Sequence, residues 1–197
     1  DRIDLGGQRR ELIDARRQGI DPRDRLDAVL QPGQALRHGD ARAVLQAMPA
    51  GLKGTADLLV SDVFAGAQTP AHVTSVEFYR EVSTMLAPEG VLLVNLADGP
   101  GLAYARRQVA TVRAVLPHVA VLAEAQVLKG RRFGNLVLVA SAQPLPLEWL
   151  PRLMAAGPHP AKVATGREID EMAQGALVVM DVAAVASPKP DAGIFGR

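Results

Sequence analysis

Cysteine is absent from the 197 residues. That excludes disulfides, a thiolate zinc site and a cysteine nucleophile. Net charge is nearly absent too. The 22 Lys and Arg against 21 Asp and Glu leave a formal charge of +1, which favours neither a nucleic-acid nor a membrane-surface partner. No apolar run reaches the roughly 18–20 residues needed to cross a bilayer. The first residues are charged rather than signal-like, so a cytoplasmic location is expected. Four histidines, His38, His72, His118 and His159, are scattered without metal-ligand spacing. No metal is expected from them, and solvated or hydrogen-bonded roles are. What remains is ordinary: 48% apolar and 22% charged residues, the balance of a globular domain. The length suits one domain with a sizeable core, spanning 1–197.

Strand and helix signals alternate along the chain. Arg2-Ile-Asp-Leu-Gly-Gly7 reads as a short strand running into a glycine turn, Arg9 to Gln18 as a helix, and residues 19–35 as loop with one turn of helix at Leu26–Leu30. A strand is expected from Leu36 to Gly39-Asp40, then a helix from Ala41 to Met48. Asp57–Phe64 reads as a buried strand. Thr74 or Ser75 can cap a helix with Glu77 in its first turn, and Pro88-Glu-Gly90 is read as its end.

Val91–Leu96 is the next buried strand, followed by a helix over Leu102–Leu116, a strand at Val119–Leu122 and a final strand at Phe133–Ala140. The alternation predicts an α/β sheet, largely parallel, with helices on both faces. Gly130-Arg-Arg132 is too short for a crossover helix, so the last two strands should be antiparallel. A helix is expected at Leu147–Ala156, and residues 187–197 read as an extended tail. The apolar faces of Leu102–Leu116 and Leu147–Leu153 suit the core, with a homodimer contact as the alternative.

The candidate chemistry begins at Asp62. It ends an apolar run, and a Gly/Pro loop and a helix follow it. In open α/β sheets ligands bind outside the carboxyl ends of the strands, so an acid there is a candidate for catalysis or for capping its own loop.

From about Leu36 onward the chain resembles the spermidine synthase family, and more narrowly its actinobacterial spermidine synthase-like members. The resemblance rests on Asp62-Val-Phe-Ala-Gly-Ala, Thr69-Pro70, Glu77-Phe-Tyr79, Leu128-Lys-Gly-Arg-Arg-Phe-Gly-Asn135, Gly39-Asp-Ala41 and Asp4-Leu-Gly-Gly7. It implies the class I methyltransferase fold, a three-layer Rossmann-like sheet with an antiparallel last strand. It also implies transfer of an aminopropyl group from decarboxylated S-adenosylmethionine to putrescine or a similar amine, without a metal. On that resemblance Asp62 is the catalytic acid, and Gly6, Gly7, Asp40, Ala41, Asp62 and Val63 meet the nucleoside co-substrate. Asp62, Phe64 and Tyr79 face the amine, with core packing the alternative for Phe64 and Tyr79. The basic cluster Lys129-Gly-Arg131-Arg132 reads as a solvated turn, or as a contact for the cofactor's carboxylate or an acidic partner.

The pattern also departs from the family. Ala65 stands where the family has a second Asp that helps hold the diamine. The first βαβ unit is compressed: about twenty residues are missing between Gly7 and Arg9-Arg-Glu-Leu-Ile-Asp14. Glu11 and Asp14 are the candidates left for the ribose-binding acid. Three readings follow: an aminopropyltransferase, an S-adenosylmethionine-dependent methyltransferase on the same scaffold, and a non-catalytic nucleoside-binding or scaffold protein.

Overall fold

Two adjacent parallel strands organise the molecule. Strand β1 (Ala56–Ser61) pairs with β2 (Leu86–Asp98), and the helix between them, α2 (Val76–Ser83), makes the crossover. The computed structural model describes residues 35, 37–156 and 160–190. The chain divides into two compact units, Asp1–Asp40 and Ala41–Arg197. The elements expected before residue 35, including Gly6 and Gly7, lie outside the described residues.

At 37–40 the expected strand does not form. Gly39 takes φ 149°, a conformation that side-chain-bearing residues rarely adopt, and Ala41 already opens helix α1 (Ala41–Gln46). The second unit continues with α3 (Ala103–Arg113), β3 (His118–Ala123), α4 (Ala125–Leu128) and β4 (Gly134–Ser141). It ends with α5 (Leu150–Ala156), β5 (Lys162–Ala164) and α6 (Arg167–Ala173).

The strand order is β1-β2-β4-β3-β5. Strands β1, β2 and β3 point the same way, and β4 enters antiparallel between β2 and β3. The antiparallel last strand expected from the short Gly130–Arg132 link is therefore present. Strand β5 and helix α6 were not expected. A three-residue strand has too few positions to show a period, and β5 exists because it pairs with β3.

Strand register explains the core. Leu92, Ala140 and Val119 share one row across β2, β4 and β3; Val94, Leu138 and Val121 share the next; Leu96, Leu136 and Ala123 the third. All nine are buried and join one cluster with residues of α2, α3 and α6. Each large side chain so buried is worth about 1.5–3 kcal/mol relative to exposure.

β1 is a correction to the expected buried strand at 57–64. It stops at Ser61, and Leu58 and Val60 are 56% and 58% exposed. It is the first strand of the described sheet, so only alternate residues such as Leu59 reach the packed face. The end of α2 also differs from expectation. The helix stops at Ser83, and Pro88-Glu-Gly90 belongs to β2. There the ladder slips, with Ala56 opposite Leu86 but Leu58 opposite Val91. Such an irregularity tolerates a proline, which has no N–H to donate. Gly90 fits because a Cβ on it would lie 2.6 Å from the Ala56 carbonyl oxygen.

Polar side chains fix the helix starts. Ser75 caps α2, its Oγ accepting from the Phe78 N–H at 3.2 Å. Before α3, Leu102 takes a left-handed conformation, and buried Asp98 accepts from the N–H groups of Gly99 (2.7 Å) and Ala105 (2.8 Å). Among the described residues no helix is long and apolar enough to cross a membrane.

The chain after α6 returns over α2. The Val179 carbonyl accepts from the Val76 N–H at 2.8 Å, and the Val179 N–H donates to Thr111 Oγ1 at 2.9 Å. Asp181 accepts two bonds from the Arg42 guanidinium, at 2.7 and 3.0 Å, and its N–H donates to Glu77 Oε2. Arg42 also reaches Glu81 at 3.0 Å. Ser187, expected to open an extended tail, is fully buried.

Candidate active site at the end of β1 and β2

The parallel ladder sets Ser61 opposite Val94, so the next residues are neighbours: Asp62, just past the carboxyl end of β1, and Asn95, inside β2. Asn95 Nδ2 donates to Asp62 Oδ1 at 2.9 Å. Asp62 is exposed and Asn95 half-buried. The second carboxylate oxygen of Asp62 accepts from none of the described residues. One oxygen is thus fixed by an amide and the other faces outward, an arrangement that can accept a proton or attract a cation.

The loop after Asp62 is a tight turn. Ala65 and Gln68 exchange backbone hydrogen bonds at 2.8 and 3.4 Å, and Gly66 supplies the positive φ of 66° that the turn needs. Thr69 then anchors the loop to the returning chain. Its N–H donates to Ser187 Oγ at 2.8 Å, and its carbonyl accepts from the Ser187 N–H at 3.0 Å. Gln68 Nε2 adds a bond to the Ser187 carbonyl. Buried backbone groups need such partners, and here two distant segments supply each other.

Behind the loop, Tyr104 and Thr69 are both buried. Their hydroxyls face one another without closing a hydrogen bond of good geometry. Burial pushes the Tyr104 phenol up to about 12, against a smaller opposing pull from the Thr69 hydroxyl.

Asp40 ends the first unit and Ala41 begins α1. Val63 and Phe64 are half-buried beside Asp62, and Val63 packs against the core. Tyr79, expected either at the amine or in the core, is core. It is 1% exposed, and its hydroxyl donates to Gln108 Oε1 at 2.8 Å. Gln108 Nε2 in turn donates to the Thr74 carbonyl at 3.1 Å. Burial holds the Tyr79 phenol far above its usual range. In the basic cluster, Arg132 is already engaged by Glu124.

Sequence reasoning did not single out Asn95 or Ser187. The available signal for Asn95 was a lone amide in the apolar run Val91–Leu96. For Ser187 there was none, because its partner lies 118 residues away.

No family model matches the chain, and no curated protein matches it. Among solved structures, a probable spermidine synthase from Corynebacterium glutamicum ATCC 13032 is similar at 33% identity with a TM-score of 0.66. The match covers 73% of this chain. The chain is spermidine synthase-like. It spans about half of that relative's length, 53%. Human methyltransferase-like protein 13, solved with SAH, is 21% identical over 71% of this chain and 56% of its own, with a TM-score of 0.40. The fold is the class I methyltransferase type, a transferase scaffold, as the sequence resemblance implied.

Proposed function

We propose that this chain is an aminopropyltransferase-like enzyme that uses a nucleoside sulfonium, decarboxylated S-adenosylmethionine, as donor and putrescine or a similar amine as acceptor. The observation that carries the reading is the Asp62 carboxylate at the carboxyl end of β1, steadied by Asn95 of the neighbouring parallel strand, on a spermidine synthase-like chain. In this reading Asp62 attracts the cationic amine and takes its proton. The amine nitrogen attacks the aminopropyl carbon next to sulfur. A C–N bond forms, the C–S bond breaks with its electron pair moving to sulfur, and methylthioadenosine leaves. Alignment of nitrogen and carbon supplies much of the rate, and the base roughly 10²–10⁴-fold more. Asp40, Gly6, Gly7 and Ala41 are the residues the resemblance assigns to the nucleoside.

Ala65 favours a second reading. It sits in the exposed turn with no carboxylate to offer a diamine, which suits a methyltransferase using S-adenosylmethionine, or a nucleoside-binding protein without turnover.

Calorimetry with decarboxylated S-adenosylmethionine, S-adenosylmethionine and methylthioadenosine separates these readings. Preference for the decarboxylated donor, weakened in Asp40→Ala and followed by turnover with putrescine that Asp62→Asn abolishes, is the expected result. Preference for S-adenosylmethionine would move the assignment to methyl transfer. Binding of none of the three would remove the nucleoside from the function.

A further inference from the structure

A cleft of about 680 Å³ runs between the start of α3 and the chain after α6. Gly101, Arg106 and Arg107 form one wall and residues 174–177 the other. Two arginines line it, and no Asp or Glu does.

The arginines differ from their neighbours in how they are compensated. Next to the cleft, Arg113 pairs with Asp170 at 2.7 Å and Arg167 with Glu171 at 2.8 Å. Both acids of that surface, which border an adjoining hollow, are therefore engaged. Among the described residues Arg106 reaches a neutral acceptor alone, the Glu171 carbonyl, at 3.1 Å. Arg107 makes no ion pair among the described residues, and its Nε is shielded from water with no acceptor. A charged donor withdrawn from water and left unpaired is unfavourable, and such groups in a native fold call for an explanation such as an ion.

An anion in the cleft would supply the counter-charge that no lining Asp or Glu gives these two arginines. The guanidinium fork matches carboxylate and phosphate oxygens, and two uncompensated positive charges suit a dianion better than a monoanion. The volume lies in the range of small-molecule sites. Ala103, Ala176 and Leu177 give the cleft apolar wall beside its charges. We infer that this cleft binds a small phosphate-bearing molecule through Arg106 and Arg107. The residues lining the cleft include neither Asp62 nor Asn95, and the inference does not rest on the proposed transfer chemistry.

The test is calorimetric and NMR titration of the full chain with inorganic phosphate, pyrophosphate and acetate at constant ionic strength. The expected result is saturable binding of phosphate and pyrophosphate, at least 10-fold tighter than acetate. Amide shifts should centre on Gly101 and Gly175. Arg107→Gln should weaken phosphate at least 10-fold, while Arg152→Gln, a surface arginine on α5 outside the cleft, leaves it unchanged. Arg107→Lys, which keeps the charge and loses the fork, covers the case in which Arg107→Gln does not fold, and should also weaken binding. Absence of saturable phosphate binding, equal binding of acetate, or phosphate affinity unchanged in the Arg107 variant that folds would each overturn the inference.

Discussion

Asn95 Nδ2 lies 2.9 Å from Asp62 Oδ1, across two strands whose parallel register brings the residues side by side. The amide fixes one carboxylate oxygen and leaves the other without a partner among the described residues. Asp62→Asn should keep the fold and nucleoside binding but lower kcat by roughly 10²–10⁴, the usual contribution of a positioned base. Asn95→Ala should act more weakly, through a less ordered carboxylate, costing about one hydrogen bond to a charged group, ~1.5–3 kcal/mol in kcat/KM. Steady-state rates of aminopropyl transfer for the two variants check the order. An Asn95 variant more damaged than Asp62→Asn would contradict it.

The buried bridge from Tyr79 through Gln108 to the Thr74 carbonyl joins α2 to α3. Tyr79→Phe removes the donor to Gln108 Oε1 while preserving ring volume. The orphaned oxygen should cost roughly 1–3 kcal/mol, read as a lower denaturation midpoint with an unchanged denaturant slope. Nucleoside affinity should stay at the wild-type value, since this tyrosine is core. A binding defect without a stability defect would return Tyr79 to the substrate site.

Gly90 packs where β2 slips against β1. Gly90→Ala would place a Cβ 2.6 Å from the Ala56 carbonyl oxygen, and neither backbone can yield cheaply. Overpacking of this kind costs roughly 1–3 kcal/mol, which thermal unfolding should show as a drop of several degrees. An unchanged Tm would mean that the slip relaxes freely.

The contact between Asp181 and Arg42 ties the returning chain to α1 and makes it sensitive to acid. Arg42 foremost, and then Ser75, hold the Asp181 carboxyl below the usual carboxylate range. A depressed folded value stabilises above the unfolded value of about 3.9 and loses that contribution as pH falls through the folded value. Arg42 stays charged throughout, its own value raised by Asp181 first and Glu81 next. Because the Asp181 side chain is 42% exposed, solvent screening keeps the effect modest. Hydrogen exchange at the Val76 N–H, which the Val179 carbonyl accepts, is the readout. Asp181→Asn should speed it at neutral pH, and the two proteins should converge as pH falls below the unfolded carboxylate value and through the depressed folded one. A difference that does not shrink on acidification would show that the carboxylate charge is not its source.

Much of the scaffold was legible in local pattern. The run Asp57–Ser61 followed by a Gly/Pro loop marked a strand ending in an acid, and Ser75 with Glu77 marked a helix start. The short Gly130–Arg132 link forced β3 and β4 to be antiparallel. Local pattern failed where long-range pairing decides. Pro88-Glu-Gly90 reads as a helix stop, yet it sits in β2, because the Ala56–Leu86 pairing draws the strand back past the proline. Leu58 and Val60 read as buried from their hydrophobicity, whereas burial depends on what lies against their face of the sheet.

The sequence by itself determined that this is an α/β chain with a carboxylate at the end of a strand, since periodicity and turn chemistry act over a few residues. Only the tertiary structure decided which side chains serve that carboxylate and its loop. Asn95 reaches Asp62 from 33 residues away and Ser187 holds Thr69 from 118. Hydrogen bonds at such separations follow from strand register and from the path of the returning chain, which no local pattern encodes.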